Sequence, residues 1–422
     1  MNTATTVTTA TIPRAQYVKE VGLLCVGHGL THWYPATFYL LLPLIGKELG
    51  LSYTEIGFII TVQQFAGAIA NLPGGMVVDA CGKKGYLLVL SLFWVGFPYA
   101  VMSLTSSYWV LLVCVALVGV GNNIWHPAAI PTLAYRYPDR KGFVLSLHGM
   151  GGNLGEALAP LLIGTLLTWF SWRTVVVMNV VPGMVMGVLI LVTLGAFAVS
   201  KSGEENALNA SAVKAGPWSA QQYLRDVRSL LHNKALMLVS FSSMFRTLTQ
   251  VGLLTFLPLF LAYELGYNPF VVGICMATVQ IAGFAASPIG GHLSDKWGRR
   301  RVVMSSMLLT GVMIAGMVLA GRTVLFVVFV ALIGFFLYAM RAALQAWALE
   351  STPKHLAGTG VGLQFGIQSI GGGISPAFFG MIADAHGLYA AFYAMAATIV
   401  LANLLVFFIP AGGAPAQGSA TK

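Results

Sequence analysis

Twelve apolar segments, each long enough to cross a lipid bilayer, dominate the sequence. A helix needs about 20 mostly apolar residues to span a hydrocarbon core of roughly 30 Å. Because backbone polar groups in lipid need internal partners, we expect these segments to be α-helices. They cover about 18–45, 54–78, 85–104, 109–134, 143–168, 174–198, 235–262, 270–292, 302–320, 324–347, 358–383 and 388–410. The sequence therefore predicts an all-α membrane protein with twelve transmembrane helices.

The composition argues against a soluble protein. Hydrophobic residues make up 57% of the 422 residues and charged residues only 9%, whereas a soluble domain has roughly 25% charged residues. The net charge of +10 resides mainly in the loops, so it does not predict a nucleic-acid partner. The four cysteines lie in or beside apolar segments without metal or disulfide spacing, and we interpret them as packing residues. We expect no metal and no cofactor.

The positions of the basic residues predict the orientation. With the N-terminus placed in the cytoplasm, eighteen of the 23 Lys and Arg residues fall on cytoplasmic loops or tails. Three fall outside, Lys47, Arg173 and Arg322, and two lie within segments, Arg246 and Arg341. Cytoplasmic loops carry the excess of Lys and Arg in membrane proteins. We therefore predict an N-in, C-in, multi-pass protein of the inner (cytoplasmic) membrane.

A charged loop occurs twice in the chain, 216 residues apart, with Asp79 and Asp295 at matching positions. The same offset relates glycines and prolines of the fifth and eleventh segments. These pairs are Gly142 and Gly358, Gly155 and Gly371, Pro160 and Pro376, and Gly164 and Gly380. One offset shared by separate landmarks indicates a duplicated unit. We predict two pseudo-symmetric six-helix bundles.

The chain then divides into five regions. A cytoplasmic tail at 1–16 precedes an N-terminal bundle at 17–198, a cytoplasmic linker at 199–234, a C-terminal bundle at 235–410 and a disordered tail at 411–422. The second half of the linker has an amphipathic helical pattern, whose apolar face carries Tyr223, Leu224, Val227, Leu230 and Leu231. Either the membrane interface or the bundle itself could cover that face. We expect a monomer.

The doubled loop carries a family resemblance. The stretches 75–84 and 291–300 resemble the loop signature of the major facilitator superfamily, whose members are transporters of twelve helices. The fifth segment resembles that superfamily's antiporter motif, although Ala159 precedes Pro160 where the motif has glycine. The stretches 27–32, 119–127 and 151–155 resemble the fosmidomycin-resistance branch of bacterial drug exporters. In that branch the position of His32 is usually acidic, so the chain departs from the pattern there.

Three ionisable residues within segments are candidates for proton coupling. His28 and His32 are four residues apart and share one face of the first helix. Glu156 is the one clearly buried carboxylate and lies near the middle of the fifth helix. Ionisable groups inside a membrane are costly and mark functional sites by default. The alternative is that these side chains only form hydrogen bonds that hold helices together.

Two arginines within segments are candidates for substrate binding. Arg246 cannot lose its charge, so it needs an anion, which is either Glu156 or the substrate. Arg341 lies toward the cytoplasmic side of the tenth segment. Other polar or aromatic side chains could line the same cavity, although each alone more often joins helices. Those in the predicted site, besides His28 and His32, are Tyr34, Asn123, Asn153, Gln250, Gln364 and Gln368.

The doubled loop also predicts a gate. A carboxylate at a helix end can cap the N-terminus of a neighbouring helix, so we expect Asp79 to cap the eleventh segment and Asp295 the fifth, with Arg136 pairing with Asp79. Such contacts would hold the outward-facing state. The alternative is that these charges only set the topology. The predicted gate also includes Gly75, Gly82, Lys83, Gly291, Gly298 and Arg299, and a helix bend at His126 and Pro127.

These features predict a secondary transporter whose partners are a small-molecule substrate and protons. We hypothesise proton-coupled export of a small organic compound, and the excess of Arg and His over carboxylate favours an anion. Uptake of a carboxylate or similar anion is the alternative, because direction depends on gradients. A receptor or sensor without transport activity is an alternative of another class. No nucleotide-binding loop and no nucleophile–base pair stands out, so we do not expect an enzyme.

Overall fold

The computed structural model describes residues 14–81, 84–194, 220–353 and 356–410, with the side chains of 71–84, 135, 220, 222–224 and 358 outside that description. The described residues form helices joined by short turns and contain no strand. The helices are α1 (Arg14–Leu49), α2 (Tyr53–Cys81), α3 (Lys84–Leu104), α4 (Tyr108–Arg136), α5 (Lys141–Leu166), α6 (Trp172–Leu194), α7 (Ala220–Leu231), α8 (Lys234–Leu259), α9 (Pro269–Trp297), α10 (Arg299–Ala320), α11 (Val324–Glu350), and α12 with α13 (Ala357–Phe407). A π-helical turn (Phe260–Glu264) extends α8. The last stretch divides at Gly387, whose φ of 85° ends α12 and starts α13.

The long helices follow the predicted segments closely. Apart from the twelve-residue α7, each lies over one of the twelve apolar segments, and most ends agree within a few residues. Eight described helices are long and apolar enough to span a membrane, counting α12 and α13 as one. α1, α2 and α5 are outside that set, and α1 and α5 are the helices that carry His28, His32 and Glu156. The protein is therefore a multi-pass membrane protein in which α1 and α5, outside the set of clearly apolar helices, hold the three predicted proton-coupling residues.

Large apolar side chains cover the outside of the helices. Exposed examples on five helices are Phe97, Leu162, Val192, Leu319 and Leu404. In water such a surface would be unfavourable, because burying apolar area contributes about 25 cal/mol per Å². In a bilayer it faces hydrocarbon chains at no such cost.

The helices pack in a pattern that repeats along the chain. In the first half α1 packs on α5, α2 on α4, and α3 on both α4 and α6. In the second half α8 packs on α12, α9 on α11, and α10 on both α11 and α13. The two halves meet where α2 packs on α12 and α5 packs on α9. These two contacts are equivalent under the 216-residue offset.

The contacts between halves concentrate at one end of the molecule, which we call the closed end. A Cβ added to Gly57 would lie 2.1 Å from the carbonyl oxygen of Pro376, and one on Gly273 would lie 2.3 Å from that of Pro160. The Tyr263 hydroxyl donates to the carbonyl of Pro43 at 2.6 Å. Gly57 and Gly273, and Pro160 and Pro376, differ by the predicted repeat offset. The helix backbones of the two halves therefore touch directly at this end.

The opposite end, called the open end, is packed differently. One buried core cluster includes residues of both halves, but a second lies within α1, α3, α4, α5 and α6 alone. Trp125 of α4 is fully buried in this second cluster, against Gly27 of α1. The first half thus has its own core at the open end, where α4 ends and α5 begins.

The described part of the linker includes the predicted amphipathic helix, α7. Leu230 is buried in the main core and Val227 is half-buried, whereas Arg225 and Arg228 are exposed. Leu231, which we predicted on the apolar face, is 47% exposed. Residues 199–219 of the linker and the tails at 1–13 and 411–422 lie outside the described residues.

Candidate functional site

Close packing of α1 against α5 brings the predicted proton-coupling residues together. A Cβ added to Gly155 would lie 1.9 Å from the carbonyl oxygen of Gly29. Only glycine allows backbones to approach this closely. Because His28 and His32 flank Gly29 on α1, and Glu156 follows Gly155 on α5, the approach sets these side chains face to face.

His32 and Glu156 form a hydrogen-bonded pair between α1 and α5, which is an ion pair when the imidazole is protonated. The distance from His32 Nδ1 to Glu156 Oε1 is 2.7 Å. The two side chains remain 31% and 28% exposed, respectively. Water and protons in the space between the helices can therefore reach the two side chains while they remain hydrogen-bonded.

The ring of His28 lies 4.7 Å from that of His32, between centroids, and makes three further contacts with histidines. His28 Nδ1 donates to the carbonyl oxygen of His148 at 2.6 Å, and its Nε2 lies 3.1 Å from Nε2 of His126. The rings of His28 and His148 stack with centroids 3.9 Å apart. Four histidines from α1, α4 and α5 thus form one cluster. We predicted His126 for a gate bend and did not place it or His148 with His28.

A hydrogen-bonded chain connects Glu156 to the second half. Gln280 of α9 donates from Nε2 to Glu156 Oε2 at 2.8 Å, and its Oε1 accepts from the Tyr338 hydroxyl of α11 at 2.6 Å. That hydroxyl accepts from Gln250 Nε2 of α8 at 2.8 Å. Gln250 Oε1 in turn accepts from Arg246 Nη1 at 2.8 Å. Glu156 and Arg246 are therefore linked through three neutral side chains and do not pair directly.

Arg246 and Arg341 line one small cavity, together with Ser243, Gln364 and Gln368. Arg246 is buried, with 4% of its surface exposed, whereas Arg341 is exposed within the structure. Within the described ranges, the arginines in ion pairs with carboxylates are Arg136, Arg173 and Arg299. Two positive charges therefore meet at a cavity without a carboxylate in salt-bridge contact. An anion would complete their coordination.

A larger cavity of about 200 Å³ adjoins the first, since Phe365 and Gln368 line both. Two of the predicted polar residues, Asn123 and Gln368, line it. Its lining is Gln64, Ala68, Asn123, Thr247, Val251, Phe365, Gln368, Ser369 and Gly372. These residues lie between the middle of the helices and the open end. The closed end seals the cavity on the other side.

Two predicted substrate residues lie away from both cavities. Tyr34 is fully buried in the main core, and its hydroxyl is directed at Gly183 of α6. Its backbone carbonyl accepts from the Tyr99 hydroxyl at 2.7 Å. Asn153 is on the exposed side of α5. The position of a residue along a helix does not by itself predict whether its side chain lines a cavity or packs against another helix.

The second copy of the charged loop forms contacts within its own half. Asp295 pairs with Arg299, and Arg299 Nη2 also contacts Glu350 Oε1 at 2.9 Å. Asp295 remains 63% exposed and does not show the expected contact with α5. Gly298 has a φ of 89°, a value that favours glycine, and separates α9 from α10. Gly291 lies within α9. The loop is thus charge-paired, but the predicted cap is not formed in this conformation.

The first copy is only partly visible. Gly82 and Lys83 lie outside the described residues, as do the side-chain surroundings of Gly75 and Asp79 in α2. Arg136, predicted to pair with Asp79, contacts Glu20 of α1 through Nε and Nη2 at 3.0 and 2.8 Å. Pro127 lies inside α4.

Asp384 closes the other end and was missed by the sequence reasoning. Its Oδ1 and Oδ2 accept from the backbone nitrogens of Tyr53 and Thr54 at 2.8 and 2.9 Å. A carboxylate at a helix N-terminus satisfies unpaired N–H groups and interacts favourably with the helix dipole. Asp384 of α12 thus caps α2 across the two halves. Its position, near the end of an apolar segment, carried no sequence signal for this contact.

A second polar contact at the same end joins α1 to α6. Glu48 accepts from the Trp172 indole nitrogen and pairs with Arg173 at 2.7 Å. Glu48 lies beyond the predicted membrane segment at 18–45. The hydrogen bonds from Trp172 and Arg173 lower the pKa of the Glu48 carboxyl below its usual value.

Comparison with known proteins gives one family. The model of the Major Facilitator Superfamily matches residues 24–268 and 239–422. The fosmidomycin resistance protein of Escherichia coli (strain K12) is 25% identical over 397 residues, covering 92% of each chain. The hexuronate transporter of Bacillus subtilis (strain 168) is 27% identical over 399 residues, covering 89% of this chain and 90% of its own.

A solved structure has the same fold. A bacterial homologue of the human lysosomal transporter Spinster, in an inward-facing and occupied conformation, superposes with a TM-score of 0.80 at 16% identity. The match covers 95% of this chain and 97% of that one. At this identity the likeness concerns the fold alone.

Proposed function

Because the chain belongs to the Major Facilitator Superfamily, we propose that this membrane transporter, which is not an enzyme, exports a small organic anion in exchange for protons. The observation that carries the proposal is the cavity with Arg246 and Arg341, connected by hydrogen bonds to the Glu156–His32 pair. The cavity supplies a positive site for the anion. The ion pair supplies a separate site where a proton can bind.

The proposed architecture is two six-helix bundles, α1–α6 and α8–α13, with both termini in the cytoplasm. The repeated packing pattern and the two equivalent contacts between halves support the bundles. The excess of Lys and Arg in loops at the open end supports the orientation. With this orientation the cavity faces the cytoplasm, and the closed end faces outward. The predicted regions at 17–198, 199–234 and 235–410 and a monomeric state belong to the same proposal, as does an inner-membrane location.

The charge of the site supports an anionic substrate. A buried guanidinium needs an anion or several acceptors. Among the described residues, the acceptors of Arg246 are all neutral, namely Gln250, Thr247 and the Leu337 carbonyl. Hexuronates, which the Bacillus relative is named for, are carboxylates. Gln364 and Gln368 line the arginine cavity, Asn123 and Gln368 line the adjoining one, and all three are proposed to contact neutral parts of the substrate.

The ion pair supports proton coupling. Substrates of such transporters bind near the middle of the membrane, between the repeats. A proton that reaches Glu156 from outside, directly or by way of His32, would neutralise the carboxylate and weaken its contacts with His32 and with Gln280 of the second bundle. Loss of this contact between bundles would favour the change between inward- and outward-facing states. His28, which adjoins His32, is the third proposed proton-coupling residue.

Transport by protein in liposomes tests the proposal. Fosmidomycin and a hexuronate such as glucuronate serve as trial solutes, and a pH-sensitive dye inside the vesicles reports proton movement. We expect Glu156→Gln to abolish the effect of an imposed pH gradient on solute flux. Glu264→Gln, at an exposed glutamate of the closed end, is the control and should retain it. Gradient-driven flux that persists in Glu156→Gln would show that this carboxylate is structural.

Uptake of a carboxylate is the second candidate, favoured by the likeness to a hexuronate transporter. The same residues would operate in both directions, since direction follows from gradients. Vesicles of opposite orientation distinguish the two, when right-side-out vesicles are placed in an acidic medium and inside-out vesicles are given an acidic interior. Accumulation of solute only in right-side-out vesicles supports uptake, whereas accumulation only in inside-out vesicles with an acidic interior supports export.

A further inference from the structure

Three histidines of the candidate site converge on one point between α1, α4 and α5. One ring nitrogen from each of His28, His32 and His126 lies within 4.8 Å of the others. The ring centroids are 4.7, 5.0 and 5.7 Å apart. We propose that these three side chains bind a divalent transition-metal ion of the zinc class. This proposal goes beyond the transport function and does not depend on the identity of the transported solute.

The closest pair of nitrogens already has the spacing of a metal site. Nε2 of His28 lies 3.1 Å from Nε2 of His126. Zinc binds histidine nitrogens at about 2.0–2.1 Å in tetrahedral geometry, which places two such nitrogens about 3.3 Å apart. A small rotation of either ring supplies this spacing. His32, on the same face of α1 as His28, provides the third nitrogen.

Two of the three histidines, His28 and His32, have at their other ring nitrogen the acceptor that metal-bound histidines require. Such histidines almost always donate their second N–H to a carbonyl or carboxylate, which fixes the ring and its tautomer. His28 Nδ1 has the His148 carbonyl at 2.6 Å, and His32 Nδ1 has Glu156 Oε1 at 2.7 Å. With Nδ1 of His28 and His32 engaged, their Nε2 atoms remain for the ion.

The surroundings hold the rings in place and leave a path to them. The ring of His148 stacks on that of His28 at an interplanar angle of 9°. A Cβ added to Gly152 would lie 2.8 Å from the His28 ring and 3.0 Å from the His32 ring, so this glycine makes room for both. His32 keeps 31% of its side chain exposed. An ion can therefore reach the cluster on the side of His32.

The ligand set selects the class of ion. Three neutral imidazoles suit zinc, copper, nickel and cobalt, whereas magnesium and calcium require oxygen ligands. Three protein ligands leave a fourth tetrahedral position open, as in catalytic zinc sites. A water molecule or an anionic group from the cavity would take that position.

Metal binding to the purified full-length protein, carrying no histidine tag, tests the proposal. We expect one zinc ion per chain by equilibrium dialysis, and visible absorption bands of tetrahedral cobalt when Co²⁺ is the probe. His126→Gln should weaken zinc binding by more than 100-fold. Glu156→Gln, which alters only the acceptor of His32, should weaken it about 10–100-fold. His386→Gln, at an exposed histidine in the turn before α13, is the control and should bind as the wild type does.

Two results would overturn the proposal. One is zinc binding by folded His126→Gln equal to that of the wild type, with folding checked by gel filtration. The other does not depend on any variant: X-ray absorption of the zinc-loaded wild type that shows fewer than two imidazole ligands. Three imidazoles in that spectrum, and competition by Co²⁺ but not by Mg²⁺, support the site.

Discussion

The close contact between α1 and α5 predicts that Gly155→Ala destabilises the protein and separates the His32–Glu156 pair. The new Cβ would lie 1.9 Å from the carbonyl oxygen of Gly29, whereas ordinary contacts begin at 3.4 Å. The two backbones must therefore move apart by about 1.5 Å, because neither atom belongs to a flexible side chain. The same displacement would lengthen the 2.7 Å distance between His32 and Glu156 beyond hydrogen-bond range.

The free-energy cost follows from two opposing effects. Overpacking a close contact typically costs about 1–3 kcal/mol. Replacing a helical glycine by alanine gains up to about 1 kcal/mol in helix propensity. Gly149→Ala, in the same helix, has nothing within 4 Å of its new Cβ and so keeps the gain without the clash. The difference between the two variants, about 1–3 kcal/mol, isolates the contact between α1 and α5.

Unfolding of the two variants, followed by tryptophan fluorescence at one scan rate in one detergent, measures this difference. We expect Gly155→Ala to unfold at a lower temperature than the wild type and Gly149→Ala at the same or a higher one. Gly155→Ala should also lose pH-gradient-driven flux in liposomes, since its ion pair is broken. If both variants unfold alike and transport alike, the helices do not approach as described and the reasoning is refuted.

Two predictions concern the closed end. Asp384→Ala removes both acceptors from the N-terminus of α2, at a cost of about 0.5–2 kcal/mol. We therefore expect a larger fraction of molecules to be open at this end, which longer distances between spin labels on the α1–α2 and α12–α13 turns would show. An unchanged distribution of these distances would contradict the prediction. Glu48 has a lowered pKa in the folded protein, so its stabilising effect should be present above the usual glutamate pKa of about 4.3 and lost as the pH falls through its folded value. Thermal unfolding of Glu48→Gln and the wild type should therefore differ at pH 7 and converge in acid, and a difference that is independent of pH would refute the role.

The helices were largely predictable from the sequence, because the length of an apolar segment is a direct consequence of bilayer thickness. The break between the last two segments also agrees with the structure, which divides them at Gly387. The meeting of His28, His32 and Glu156 could be anticipated in part, since all three are costly in lipid and lie at similar depth. The sequence did not predict that Gly29 and Gly155 allow this close contact.

The partners across helices could not be predicted. Gln280 and Tyr338 connect Glu156 to Gln250, but an isolated glutamine or tyrosine in an apolar segment is common and has many packing solutions. Tyr34 shows the converse, since it follows two histidines in sequence yet packs in the core. Which side chains meet depends on how each helix is rotated about its own axis. These helices have apolar residues on all faces, so the periodicity of the sequence does not predict that rotation.

The hydrogen-bonded chain between Arg246 and Glu156 has a fixed sense. Each side chain donates toward Glu156 and accepts from the direction of Arg246. A guanidinium only donates and an ionised carboxylate only accepts, so the two ends together allow one arrangement of the amides. If Glu156 takes a proton on Oε2, that atom becomes a donor facing the Gln280 amide, and two donors oppose each other.

Reversing the chain cannot relieve this conflict, because Arg246 at the far end has no acceptor to offer. Instead, one hydrogen bond must break, either between two of the three intermediate side chains or at the contact with Arg246 or Glu156. Protonation of Glu156 therefore breaks a contact between helices, at whichever hydrogen bond of the chain costs the least free energy to break.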